Sequence, residues 1–373
     1  MRIATQNVMA ELLTKRPQID GLRALAMLGV LYVHFWNDMP VTEYVRVTLF
    51  FVISGFLITH ILMNAKARGG HIVVRNFYVR RALRLFPALM VCFAVAWALN
   101  ADGFRASAAW HFMPTSNIYF ALTQDWHPWV VAHLWSLNVL EQFYVAWPLV
   151  ILYLTEKTLH VVVVAGLAVL VFLHANVGPM GIDGWWLMLV FAFDPILTGA
   201  LAYLLQRHPP VRQVMTSPFA LALALSVLAS PVLLWESFGH SASYRFFAQP
   251  AVAVLVVGAF QGYRGPIGWL LQSPPAQFLA MISFGVYVYH MMVLYLVAEA
   301  FPVFYTKGPL TFAVLSAVTI AVATVSWYVM EAPIGRLKDT FPVRRAQPKA
   351  AGEGAPVAEP AASVPVSVPI STS

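Results

Sequence analysis

In the run IDGLRALAMLGVLYVHFW, Ile19 to Trp36, an arginine (Arg23) and a histidine (His34) stand eleven residues apart. Helical residues turn by 100° each, so the two return to one face with roughly 16 Å of rise between them. An imidazole titrates near neutral pH and can take a proton from a hydroxyl or accept a group itself. A guanidinium holds an anion with a planar fork of N–H donors. The pair can serve one cavity, or Arg23 can snorkel to headgroups while His34 sits at the opposite interface; the spacing allows both.

A second cluster lies in NFYVRRALRLFP, where Arg80, Arg81 and Arg84 fall within about one helical turn. Arg81 and Arg84 can grip one phosphate, or anchor the chain against anionic lipid. HLWSLNVLEQFY places Glu141 about two turns into an apolar helix, where a carboxylate needs a partner or a proton. Further polar groups sit in apolar runs: Asp194 before Pro195, Ser283, Tyr287 and His290 on one helix face, and Glu331 before Pro333. Glu331 is placed to pair with Arg336 or with the cluster near Arg84. Ionisable groups in such runs mark functional sites facing a protein interior.

The elements that must position these groups are membrane helices. Of 373 residues, 60% are hydrophobic and 10% charged, against roughly 25% charged in soluble domains. Ten apolar runs of about 20 residues are centred near Ala26, Ile53, Cys92, Ala146, Leu167, Ile196, Ala224, Leu255, Val288 and Thr319. The expectation is an all-α polytopic membrane protein of about ten transmembrane helices. With the N-terminus in the cytoplasm, 18 Lys and Arg fall in inner segments and only Arg46, Arg105, Arg245 and Lys307 in outer ones, with Arg23 inside span one. That asymmetry predicts both termini cytoplasmic. Residues 1–17 form a cytoplasmic segment without a cleavable leader pattern, residues 18–340 the membrane domain, and 341–373 a disordered tail rich in Ala, Pro, Val and Ser. The loop from Asn100 to Trp135 is the longest outer one; its aromatics suit either a sugar ring or an interfacial belt. The net charge of +7 is explained by topology, and no nucleic acid is expected. The single Cys92 excludes disulfide frameworks and cysteine-built metal sites, and no metal is predicted.

These motifs in order, IDGLRA with His34, LFFVISGFLIT, FYVRRALRLFP, HLWSLNVLEQFY, FDPILTG, SFGVYVYH and YVMEAPI, resemble the membrane-bound acyltransferase 3 family over about Pro17 to Lys338. The resemblance implies an O-acyltransferase of a bacterial inner membrane, using acyl-CoA, most commonly acetyl-CoA, to modify a surface polysaccharide or lipid-linked glycan. It implies catalytic roles for Arg23 and His34 and a coenzyme A side for Arg81 and Arg84, beside which Arg80 stands. Two departures stand out. Leu140 occupies the position where the family usually has Glu, leaving Glu141 to supply a carboxylate from a face 100° away. Arg46, Val47 and Thr48 replace a usual Gly-Val-Asp. The rival readings are a catalytically silent relative that binds or moves a lipid-linked glycan, and a proton-coupled transporter, although no duplication between the two halves is evident. Oligomeric state leaves no mark in the sequence.

Overall fold

The computed structural model describes residues 16–37, 40–67, 74–176, 180–181, 183–233 and 244–341. The expected N-terminal segment, up to residue 15, and the expected tail, from 342, lie outside them. Among the described residues the regular structure is all helical: α1 (Pro17–Phe35), α2 (Pro40–Ala67), α3 (Val74–Leu99), the short helices α4 (Ala108–Phe112) and α5 (Ser116–Thr123), α6 (Trp135–Tyr153), α7 (Glu156–Ala175), α8 (Gly184–Leu189), α9 (Asp194–Leu205), α10 (Pro209–Met215), α11 (Pro218–Leu233), α12 (Tyr244–Gln261), α13 (Gly265–Gln272), α14 (Pro274–Ala300) and α15 (Pro309–Ser326). Six stretches are long and apolar enough to cross a bilayer, or eight if the bent pairs α10–α11 and α12–α13 each count as one. The expected ten exceeds that number by α1 and α6. Both have 19 residues, but Asp20, Arg23 and His34 in one, and Asn138, Glu141 and Gln142 in the other, dilute their apolar character.

Helix pairing rests on glycines that let backbones touch. A β-carbon on Gly55 of α2 would lie 1.9 Å from the Ile196 carbonyl oxygen of α9, and one on Gly199 of α9 would lie 2.1 Å from the Val52 oxygen of α2. The SGFLIT and DPILTG motifs are thus two halves of one small-residue interface. Around it packs one apolar core, built on α2, α6, α9 and α12; a second joins α1, α3, α14 and α15.

Hydrogen bonds tie the helix ends. Gln18 Nε2 donates to the Tyr263 carbonyl (2.9 Å) while Tyr263 N–H donates to Gln18 Oε1 (2.6 Å). Lys66 Nζ donates to the Ile151 and Leu154 carbonyls at 2.7 Å each, closing the end of α6. Arg207 pairs with Glu156 at 2.6 Å, and Arg80 donates to the Lys338 carbonyl at 2.7 Å. At the opposite end Lys307 Nζ donates to the Val33 carbonyl (2.9 Å), and Gly308 N–H to that of Phe35 (3.0 Å).

Asp194, 1% exposed, shows why α9 begins where it does. Pro195 stands in the first turn, where its missing N–H costs nothing. The carboxylate accepts two bonds from Arg245 Nη2, at 3.0 and 2.8 Å, and one from Gln249 Nε2, which also donates to Tyr44 Oη at 3.0 Å. The network fastens α2, α9 and α12 together. Asp194→Ala leaves the Arg245 charge inside without its anion and is expected to cost about 3 kcal/mol. A lower midpoint in thermal unfolding of the detergent-solubilised protein checks this, and the double substitution Asp194→Leu with Arg245→Met should recover part of the loss.

Candidate active site

The structure divides the candidate residues between two stations on α1. At the deeper one His34 Nδ1 donates to the Val30 carbonyl at 2.9 Å, which leaves the Nε2 lone pair free for chemistry. The His34 ring lies 4.8 Å, centroid to centroid, from His290 of α14, and His290 lies 4.6 Å from His133, just before α6. His290 Nδ1 donates to the Tyr287 carbonyl at 2.7 Å, and its buried Nε2 has no hydrogen-bond partner among the described residues. The Tyr287 hydroxyl donates to the His133 carbonyl and accepts from Ser136 Oγ at 3.0 Å. Arg46 of α2 is 8% exposed, and its charge reaches all three imidazoles. Three rings, a phenol and a guanidinium from four separate elements therefore meet at one point. No group of three or more His, Cys, Asp or Glu among the described residues is arranged to hold a metal ion.

Arg23 belongs to the other station. It pairs with Asp20 at 3.2 Å, and its charge interacts with those of Arg81 and Arg84 on α3. Arg81 lies flat over Tyr144 of α6, 4.2 Å from the ring centroid. Glu331 accepts from Ser326 Oγ at 2.7 Å, and Arg84 is the cation whose field it feels. Arg80 is turned away, bonded to the backbone of the last turn at Lys338 and Phe341. The cluster is thus Arg23, Arg81 and Arg84, with Arg80 serving as a clasp.

Leu140 packs against the apolar core around α2. Glu141 faces the other way, into a small pocket with Phe86, Met90, His111, Phe112 and Asn138. It accepts a long bond, 3.4 Å, from Asn138 Nδ2, while Asn138 Oδ1 accepts from Ser116 N–H at 2.9 Å. Ser283 closes on the Ala280 carbonyl. Gly285 of the same motif faces Glu331, 3.1 Å from where its β-carbon would be.

A family profile described as an acyltransferase domain matches residues 16–328, which include His34, His133 and His290 and the arginines Arg23, Arg46, Arg81 and Arg84. The chain belongs to the acyltransferase 3 family. Among curated relatives it is 25% identical over 350 residues to a peptidoglycan O-acetyltransferase of Listeria monocytogenes, covering 85% of this chain and 55% of that one. It is 27% identical over 350 residues to a putative peptidoglycan O-acetyltransferase of Bacillus subtilis (85% and 54%). It is 26% identical over 357 residues to a putative O-acetyltransferase of Staphylococcus aureus (85% and 57%). The chain spans about half the length of these relatives. No solved structure matches it. Within the family domain, His133 and Arg46 are the residues that sequence reasoning left without a role. Their signals were a histidine opening the HLWSLNVLEQFY motif and a cation preceding a long apolar run.

His111 ties together the segment that runs from Phe104 to Ser116. Its ring stacks on Phe104 at 5.2 Å and exchanges hydrogen bonds with Ser107 (3.0 Å) and Ser116 (2.9 Å). Burial pushes this imidazole down to about 4. The folded loop therefore favours the neutral ring, and its stabilisation, complete above about pH 6.5, drains away as pH falls towards 4. Hydrogen exchange across residues 107–117, corrected for intrinsic rates, should accelerate over that window, and His111→Gln should flatten the dependence.

Proposed function

We propose that this chain is an integral membrane O-acyltransferase that moves an acyl group, acetyl in the first instance, from acyl-CoA to a hydroxyl of a cell-wall or cell-surface glycan. The observation that carries the reading is the division of α1 into an arginine station and a histidine station about three helical turns apart. Arg23, Arg81 and Arg84 suit the phosphates of the donor, whose thioester supplies the activated acyl group. His34 Nε2 takes the proton of the acceptor hydroxyl or receives the acyl group itself, and His290 and His133 carry the proton onward. Arg46 supplies the fixed positive charge that a tetrahedral oxyanion requires. The names of the relatives support a peptidoglycan-type acceptor.

Adding α1 and α6 to the eight apolar stretches makes ten crossings. The end that gathers Lys66, Arg80, Lys157, Arg207 and Lys338 then faces the cytoplasm of a bacterial plasma membrane, with both termini on that side. Met113, 67% exposed in the outer loop, tests this: Met113→Cys should react with an impermeant maleimide in intact cells, and reaction only after lysis would reverse the orientation.

His34→Ala should lower glycan acylation at least 100-fold with little change in the KM for acetyl-CoA. Arg84→Ala should instead raise that KM about tenfold or more. Mass spectrometry of surface glycans with and without the gene identifies both the group and its carrier. Leu140, in the family's usual carboxylate position, favours one second reading, a silent relative that binds or moves a lipid-linked glycan. In that case the wild-type protein transfers nothing from any acyl-CoA.

A further inference from the structure

A second basic concavity opens at the same end of the bundle as the arginine station, on the far side of α2. It is an open-mouthed cavity of about 350 Å³, lined by Arg16, Arg207, Arg212, His60, Asn64 and Phe260 among others. Its cations come from three places in the chain: the residue before α1, the end of α9, and α10. Arg16 lies over the Phe260 ring, 4.3 Å from its centroid, so its guanidinium is held at the rim. Arg207 is matched by Glu156 at 2.6 Å. Among the described residues, no carboxylate pairs with Arg16 or Arg212. Asn64 Nδ2 is within 3.0 Å of His60 Nδ1, and Gln261 Nε2 donates to Gln206 Oε1 at 2.8 Å, so the floor is polar and ordered.

Topology-setting cations normally reach outward one by one to separate headgroups. Here they converge on a recess, and two of them have no carboxylate partner among the described residues. We infer that this recess is a binding site for a phosphate ester. A phosphoryl group, whose acceptor oxygens are spread around one phosphorus, can meet two guanidinium forks that approach from different elements. The phosphate belongs either to an acidic lipid headgroup entering from the inner leaflet or to a soluble phosphate ester. The site stands independently of the acyl-transfer reading, because its occupancy is measurable in a His34→Ala protein.

The test uses the full chain carrying His34→Ala, in phosphatidylcholine nanodiscs titrated with inorganic pyrophosphate by calorimetry. A parallel preparation in equal phosphatidylglycerol and phosphatidylcholine is read for retained lipid by native mass spectrometry. Arg16→Gln with Arg212→Gln should weaken pyrophosphate binding at least tenfold, which assigns a soluble ester, or abolish selective retention of phosphatidylglycerol, which assigns a headgroup. Arg84→Ala should leave the affected signal in place, since the arginine station is a separate site. Arg212 is exposed, so Arg212→Glu alone supplies a variant whose folding is not at risk, and it should lose at least as much. Variants that match their parent in both preparations, or a signal lost only with Arg84→Ala, would overturn the inference.

Discussion

The backbone contact between α2 and α9 is the constraint from which the remaining geometry follows. With Gly55 against the Ile196 carbonyl and Gly199 against the Val52 carbonyl, the two helices approach as closely as peptide groups permit. In an apolar solvent, where helices gain little from hiding apolar side chains, such packing is a main source of association. It fixes α2 along its length. The N-terminal part of α2 then carries Arg46 towards the three imidazoles, its middle offers Thr59 to Trp147 Nε1 of α6 at 2.9 Å, and its C-terminal end brings Lys66 to the end of α6. The Asp194–Arg245–Gln249–Tyr44 network bolts the same interface at the N-terminal end of α9.

On that frame α1 acts as a spacer between two clusters. A rigid helix keeps the arginine station and the histidine station at constant separation. Two of the three histidines, His34 and His290, are held through Nδ1 to backbone carbonyls within their own helices, at Val30 and Tyr287. Their ring orientation is therefore inherited from helix position, without any flexible side chain as intermediary.

The sequence made most of the helices legible, because apolar runs and charge bias are local. Of the three neighbouring arginines, local spacing groups Arg81 with Arg84, whereas Arg80 is drawn to the backbone at Lys338, 258 residues away, which no local pattern encodes. Arg23 and His34 do share a helix, yet each joins residues from other helices rather than one common cavity. The convergence of Arg46, His133 and His290 is tertiary and invisible to periodicity. Hydropathy discounts α1 and α6 because of their polar residues, Asp20, Arg23 and His34 in one and Asn138, Glu141 and Gln142 in the other. Two motifs that carried the family resemblance, SGFLIT and DPILTG, specify helix packing through Gly55 and Gly199.

The peripheral position of α7 and α15 has an evolutionary consequence. Only about a fifth of the apolar window of each is buried within the protein (22% in both), and residues such as Val161, Val164, Phe172 and Val325 point outward. What surrounds them imposes apolarity but no shape, so Val, Leu, Ile and Phe are interchangeable there and drift is nearly neutral. At Gly55 and Gly199 not even a methyl group fits. Two lineages of this architecture can therefore lose most of their identity along the outer helices while the α2–α9 seam stays fixed. Overall identity is then a poor measure of whether two such proteins share a substrate, because the residues facing lipid outnumber those facing the reaction.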